Sequence, residues 1–289
     1  MRYSINAPAK INLYLDVLSK RENGYHNVKS VMQSISICDE ITISVEKSNE
    51  NSITLYGTGD SVAWDESNLV HKACSLFINE ANIQGYSFTI FVEKKIPVKA
   101  GMGGGSTDAG ATLKLLNDIF DEKFTEDELC AIGAKLGADV AFCIKGGTCL
   151  CEGIGEYLTP VFPFNCSHMI CAIGSSSIST PEAYALLDKK YGIECDDSAD
   201  ISAFLASVEN GNLSAICSRL YNKFETVICP LHPEIDEIKN ILKQNGALGV
   251  LMSGSGPSVF GIFDSEESQI NAYTALLNLD FDAFLCKTI

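Results

Sequence analysis

From Lys10 to Leu18 the chain alternates between apolar and polar positions. Ile11, Leu13, Leu15 and Val17 share one face of a predicted strand, with Asn12, Tyr14 and Asp16 opposite. Two further short strands are predicted in "SVMQSISI" and "EITISVEK", separated at Cys38-Asp39. "YSFTIFVEK", rich in β-branched and aromatic residues, predicts another. Between them "ESNLVHKACSLFINEA" has helical periodicity and stops before a turn at Gly85. "DAGATLKLLNDIF" is apolar on nearly every side, which predicts a central, buried helix. Thr125 and Glu128 form a capping-box pattern opening "EDELCAIGAKL", for which Gly137 is the expected stop. "AFCIKGGTCLCEGIGE" reads as strand and turn.

Near residue 160 the pattern changes. "YLTPVFPF" carries two prolines, and the expected domain boundary falls there, giving segments 1–160 and 161–289. Beyond it, strand "HMICAI" leads to "SISTPEAYALLDKKYG", with Thr180 as the expected cap and Pro181 in the first helical position. Two or three helices follow to about residue 225. Then come a helix from Pro233 to the stop at Gly246, two strands around the glycine turn in "LMSGSGPSVF", a helix and a last strand. This βαββαβ order predicts a ferredoxin-like unit.

Composition narrows the function classes. The 289 residues carry 21 basic and 37 acidic side chains, a net charge of -16. Nucleic acid is therefore not an expected partner, since backbone binding needs a basic face. No apolar run approaches the ~18 residues that span a bilayer, and the N-terminal residues lack a cleavable apolar segment. No membrane association and a cytoplasmic location are expected. The 12 cysteines are scattered without a C-x-x-C pair and are expected to be thiols. No His/Cys/Asp cluster has metal-ligand spacing, so metal ligands are unassigned.

The chemistry is concentrated in "KAGMGGGSTDAG", Lys99 to Gly110. Strand, glycine-rich loop and helix in succession make a phosphate site: backbone N–H groups converge on the anion, and the helix N-terminus adds partial positive charge. Ser106 and Thr107 add hydroxyls. Lys94, Lys95 and Lys99 make the flank locally positive against the single acid Glu93. The run is neither a Walker A loop nor a dinucleotide fingerprint, because no Lys-Ser/Thr follows and serine stands at the third glycine position. Taken alone it is a phosphate site or a flexible turn. Asp139 alone reads as a cap or turn aspartate, and Lys10 alone as a solvated lysine near a strand end.

"KAGMGGGSTDAG" resembles the second motif of the GHMP kinases, small-molecule kinases related to galactose, homoserine and mevalonate kinases. "APAKINLYLDVLSKRENGYH" (Ala7 to His26) resembles the first motif and "LMSGSGPSVFGIF" (Leu251 to Phe263) the third. The resemblance spans almost the whole chain. It implies an α+β, two-domain fold, with an N-terminal domain related to ribosomal protein S5 and a ferredoxin-like C-terminal domain. It also implies transfer of the ATP γ-phosphoryl group to a small-molecule hydroxyl, with Mg²⁺ arriving on the nucleotide. "NGYH" and "GADVAFCIKGGTCLCEGIGE" narrow the implied acceptor to a cytidine diphosphate-linked methylerythritol.

By the same resemblance Asp139 is the implied base and Lys10 its partner. ATP is implied to meet Pro97, Val98, Lys99, Ala100, Gly101, Met102, Gly103, Gly104, Gly105, Ser106 and Thr107, with Asn68 approaching the nucleotide. The acceptor is implied to meet Asn12, Tyr25, His26 and an aromatic of the second domain, assigned to Tyr184; stacking on such rings contributes ~1–3 kcal/mol per base. Ala141, Thr107, Met102 and Ile154 depart from the family's usual proline, serine, leucine and arginine. The last swap removes a charge, so no phosphate contact is assigned to that turn. A homoserine- or mevalonate-type kinase and a non-catalytic binding protein of the same fold are the alternatives. A monomer or homodimer is expected.

Overall fold

The computed structural model describes residues 1–174, 176, 178–192 and 200–289. Along them run β1 (Arg2–Lys20), β2 (His26–Lys47), β3 (Ser52–Gly57), α1 (Leu69–Glu80), β4 (Tyr86–Glu93), α2 (Gly104–Ile119), α3 (Glu126–Ala134), α4 (Ala138–Lys145), β5 (Thr148–Glu152) and β6 (Tyr157–Pro160). They continue with β7 (Met169–Ile173), α5 (Thr180–Tyr191), α6 (Ile201–Glu209), α7 (Leu213–Ser218), β8 (Tyr221–Asn222), α8 (Glu225–Ile228), α9 (Pro233–Gln244), β9 (Gly249–Met252), β10 (Val259–Ile262), α10 (Glu266–Leu277) and β11 (Asp282–Cys286). No helix among the described residues is long and apolar enough to cross a membrane.

The chain forms two compact units, both discontinuous in sequence. The first takes residues 1–10, 37–98 and 103–146; the second takes 11–36, 99–102 and 147–289. Strands β1 and β2 are long enough to supply residues to both.

In the first unit β4 pairs antiparallel with β2 and parallel with β3. Helix α2 packs against α1 and α4, and α3 against α4. The core joins Ile41, Ile43, Phe88 and Ile90 of the strands to Phe77 of α1 and Leu113 and Leu116 of α2, all fully buried. Burying side chains of this size contributes ~1.5–3 kcal/mol each. Helix α2 is buried along most of its length, as its all-round apolar sequence predicts.

In the second unit β7, β9, β10 and β11 form an antiparallel sheet in the order β11-β7-β10-β9. That is the strand order of a ferredoxin-like unit, matching the βαββαβ reading. Its first crossover holds several helices rather than one. Strand β5 pairs with β2 and β6, and β8 runs parallel to β1.

Four local expectations change. The break at Cys38-Asp39 is absent: β2 runs unbroken for 22 residues. Asp39, the polar residue that suggested a turn, is wholly buried and accepts from the backbone N–H groups of Lys95 and Ile96. A buried carboxylate with donors does not interrupt a strand. "AFCIK" is helical in α4, with Val140, Ala141, Phe142 and Ile144 buried; short apolar runs carry no decisive period. Gly137 accordingly opens α4 instead of ending α3. The cap of α5 is Ser179, whose hydroxyl accepts from Glu182 N, one residue before the expected Thr180. The Thr125–Glu128 capping box forms as predicted. Eleven cysteines are free thiols, and Cys195 lies outside the described residues.

Candidate functional site

Lys10 and Asp139 meet in the first unit. The Lys10 Nζ lies 3.2 Å from Asp139 Oδ2. Strand β1 carries the lysine, which is 5 % exposed rather than solvated at a strand end. Asp139 lies in the first turn of α4, where a carboxylate is favoured by the helix dipole, and its side chain is 31 % exposed. The pair thus has a buried ammonium and an accessible carboxylate. Cys143 is close to this pair. Burial raises its thiol pKa to about 12, with Asp139 adding to the effect and Lys10 opposing it, so it is not a thiolate nucleophile.

The glycine run is held differently at each position. Gly101 and Gly103 have φ of 75° and 71°, in the left-handed region that disfavours a side chain. A Cβ on Gly101 would stand 2.4 Å from the Ser253 carbonyl oxygen, and one on Gly103 would stand 2.9 Å from Lys10 Cγ. Gly103 therefore leaves room for the lysine stem. A Cβ on Gly104 would meet Ile96 Cγ2 and Lys94 Nζ at 3.3 Å. On Gly105 it would meet only Leu69 Cδ1, at an ordinary 3.7 Å.

Helix α2 starts at Gly104, inside the glycine run and ahead of the expected "DAG" start. Its first turn has no acidic residue and no side-chain cap. The N–H groups of Gly104, Gly105 and Ser106, and the Ser106 hydroxyl, have no hydrogen-bond partner among the described residues. These are the orphan donors of a helix N-terminus, suited to an anion. The Thr107 hydroxyl, in contrast, donates to the Pro8 carbonyl and is buried. Its proton is committed to joining α2 to β1, which leaves Ser106 as the open hydroxyl of the two. Pro97 is half-buried, Val98 and Lys99 are exposed, and Ala100 and Met102 are buried.

Beneath the helix start lies a cluster that the sequence did not reveal. Lys94 Nζ donates to Asp108 Oδ2 at 2.7 Å and to Asp39 Oδ2. All three side chains are nearly inaccessible. Asp39 accepts three donors, from Lys94, Lys95 N and Ile96 N, whereas Asp108 accepts one and its Oδ1 has no partner. Burial therefore raises the Asp108 pKa to about 8, against the attraction of Lys94 and helped by repulsion from Asp39. Burial also works against the Lys94 charge, but the two carboxylates outweigh it and lift its pKa. The cluster ties the end of β4 to α2 and so fixes both ends of the glycine loop.

In the second unit the turn after β9 holds residues 99–102. Ser253 Oγ donates to Gly101 O at 3.2 Å, and Ser258 N donates to Ala100 O. Asn222 Nδ2 donates to the Met252 and Gly254 carbonyls, bracing the turn. Asn12 is buried; its N–H donates to Ser253 Oγ, and its Nδ2 donates to Ser30 Oγ at 2.8 Å.

The second unit also brings Tyr184 and His26 together. Their rings stack with centroids 4.7 Å apart and planes at 18°. Phe224 meets Tyr184 edge-on at 5.0 Å. His26 Nε2 lies 2.7 Å from Asp188 Oδ1, and Asp188 Oδ2 accepts from Lys20. Desolvation pulls the Asp188 carboxyl up, but the bonds from Lys20 and His26 and their charges hold it below the usual carboxylate range. Tyr25 is 60 % exposed, a ring open to a planar ligand. Asn68 is the N-cap of α1: its Oδ1 accepts from Val70 N and its Nδ2 donates to Ala63 O, so both ends of its amide are engaged.

Lys20, Asp39, Lys94, Asp108, Asp188 and Ser253 were not singled out as site residues from the sequence. Lys20, Asp108 and Ser253 lie in the three motifs without an assigned role, and Lys94 stands out in the sequence only as a flanking charge. Among the described residues no group of three or more His, Cys, Asp or Glu side chains could hold a metal ion.

The chain is similar to known proteins along nearly its whole length. Residues 68–147 match the family model described as GHMP kinases N terminal domain, and residues 204–281 match GHMP kinases C terminal. A relative from Caldicellulosiruptor bescii, named 4-diphosphocytidyl-2-C-methyl-D-erythritol kinase, is 40% identical over 93% of this chain and 92% of its own. One of the same name from Clostridium tetani is 38% identical over 99% of both chains. A crystal structure of a 4-(cytidine 5'-diphospho)-2C-methyl-D-erythritol kinase superposes with a TM-score of 0.80 at 29% identity, covering 99% of each chain.

Proposed function

The chain belongs to the GHMP kinases, and from that premise we propose that it transfers the γ-phosphoryl group of ATP to a hydroxyl of 4-diphosphocytidyl-2-C-methyl-D-erythritol, giving the 2-phosphate, a step of the non-mevalonate isoprenoid precursor pathway. The observation that carries the catalytic reading is the Lys10–Asp139 pair, with the lysine stem packed against Gly103 of the glycine run.

In this reading the unpaired N–H groups at the start of α2 and the Ser106 hydroxyl take the ATP phosphates. The acceptor hydroxyl gives its proton to Asp139 as its oxygen bonds to the γ-phosphorus and the bond to the β-bridging oxygen breaks. Proton transfer comes late, because the hydroxyl becomes acidic only as its oxygen bonds to phosphorus. The Lys10 ammonium stabilises charge on the moving phosphoryl group. Mg²⁺ is carried by the nucleotide and keeps several waters. Tyr25, His26 and Tyr184 take the cytidine, with Tyr184 stacked on the His26 imidazole. Segments 1–160 and 161–289 are proposed as the two family domains in sequence.

A panel of acceptors tests the assignment. ATP consumption is expected with the diphosphocytidyl acceptor and not with homoserine or mevalonate. Equal turnover of either alternative would overturn it. The His26–Tyr184–Asp188 arrangement favours the cytidine-bearing acceptor, since a small amino or hydroxy acid needs no such surface.

A further inference from the structure

Lys94 brings a positive charge under the start of α2. Its Nζ stands 3.3 Å from the place a Cβ would take on Gly104, the first residue of that helix. Asp108 follows one helical turn later. Helical side chains lean back toward the N-terminus, so its carboxyl lies beside that first turn. There Oδ2 accepts from Lys94 at 2.7 Å. Lys94, Asp39 and Asp108 all belong to the first unit. One ammonium and two carboxylates leave this cluster one negative charge, and a single proton brings it to neutrality. Asp108 is the residue suited to carry that proton. It is 4 % exposed, and its Oδ1 has no hydrogen-bond partner. Asp39 instead accepts from three donors, an arrangement that suits the ionised form. The Asp108 pKa of about 8 agrees with this division. The other titratable group that faces Asp108 is the Cys143 thiol of α4, whose own pKa of about 12 keeps it neutral. Lys10 of β1 and Asp139 of α4 are paired with each other. The faces that α1 and α3 bury carry no charge, only the Cys74 thiol, which burial keeps protonated.

We infer that Asp108 is a positioning residue that couples the nucleotide to a proton: it takes one up from solvent when ATP phosphates settle on the N–H groups of Gly104, Gly105 and Ser106. The inference rests on the placement of ATP phosphates at that helix start. With Asp108 ionised, an incoming polyanion meets a cluster that is negative overall. With Asp108 protonated, the Lys94 ammonium is balanced by Asp39 alone and the repulsion is gone. The proton goes to Oδ1, and Oδ2 still accepts from Lys94, so the link between α2 and the end of β4 is kept. A neutral carboxyl also costs less to bury than an ionised one. Charges a few ångströms apart inside a protein interact more strongly than in water. A nearby negative charge lifts a carboxyl pKa by about one pH unit or more. By linkage each such unit is a factor of ~10 in affinity, so ATP binds ~10-fold more tightly to the protonated protein than to the ionised one.

The test is a calorimetric ATP titration of wild type and Asp108→Asn at a series of pH values. Buffers of different ionisation enthalpy count the protons taken up on binding. Wild type is expected to bind ATP ~5-fold more weakly at about pH 9 than at about pH 7, relative to Asp108→Asn. It should take up about half a proton more per ATP than the variant near pH 8.5, and almost none more near pH 6.5. The titration of ATP itself cancels in this comparison. A merely structural Asp108 would shift Kd by the same factor at every pH and leave the proton count unchanged, and that result would overturn the inference. Wild type that takes up no proton near pH 8.5 would overturn it as well. This second measurement needs no variant, so it decides the matter even if Asp108→Asn does not fold. Inorganic triphosphate, which lacks the base and ribose, should reproduce the proton uptake, because the coupling is to phosphate charge. ATP that binds with no excess proton uptake would sink this inference and leave the nucleotide reading standing. ATP that does not bind would sink that reading, and the inference with it.

Discussion

Gly105 is the position in the glycine run whose missing side chain the protein itself does not require. Its φ is not positive, and a Cβ there would touch only Leu69 Cδ1 at 3.7 Å. It is the second residue of α2, where glycine weakens a helix by roughly 0.5–1 kcal/mol relative to alanine. Gly105→Ala is therefore expected to stabilise the fold by up to ~1 kcal/mol and to raise Tm by about 1–4 °C. The same methyl would stand at the mouth of the helix beside unpaired N–H groups. If ATP phosphates close on those donors, the methyl holds them away and weakens one charge-assisted hydrogen bond, worth ~1.5–3 kcal/mol. That corresponds to an ATP Kd raised roughly 10- to 100-fold, since each 1.4 kcal/mol is about tenfold. A thermal melt and a calorimetric ATP titration on one preparation measure both effects, and binding of the acceptor alone should not change. A variant that melts higher and binds ATP as tightly as wild type would refute the placement of phosphate at this helix start. One that melts lower would refute the claim that the space around Gly105 is open.

Two further outcomes follow from the site. Asp139→Asn is expected to fold and bind ATP while kcat falls by ~10²–10⁴, the usual contribution of a positioned base; retained turnover would remove Asp139 from that role. Asp108→Asn tests the buried cluster through pH. Because the folded-state pKa of Asp108 is raised to about 8, the folded protein binds more protons than the unfolded chain between about pH 4 and 8. Its stabilising contribution is complete below the unfolded pKa and is lost as pH rises through about 8. The asparagine variant lacks this titration, so its stability relative to wild type should climb with pH across that window, by at most ~1.4 kcal/mol per unit, and then level off. Denaturant melts at a series of pH values measure it, and a constant difference would show that Asp108 is ionised throughout.

Local patterns in the sequence were enough for much of the molecule. The Thr125–Glu128 capping box, the buried helix after the glycine run and the strand-helix order that becomes the β11-β7-β10-β9 sheet each depend on residues close together in sequence. The motifs and the separate "GADV" segment, read through their resemblance, bring out Lys10, the glycine run and Asp139. Helix α4 and the unbroken β2 were misread because a short apolar run and a lone aspartate look the same in either setting until their partners are known.

What only the tertiary structure decided involves partners far apart in the chain. Asp39 and Lys94 are 55 residues apart, His26 and Asp188 162 apart, and Thr107 and Pro8 99 apart. Nothing local in Asp39 marks it as a buried acceptor, and nothing in Thr107 says that its hydroxyl proton is taken while that of Ser106 is not. A side chain's charge state and open hydrogen-bond valence depend on what the fold places beside it and how much water it excludes. The sequence by itself therefore determined which groups were available for phosphate chemistry, and the fold decided which of them remain free to do it.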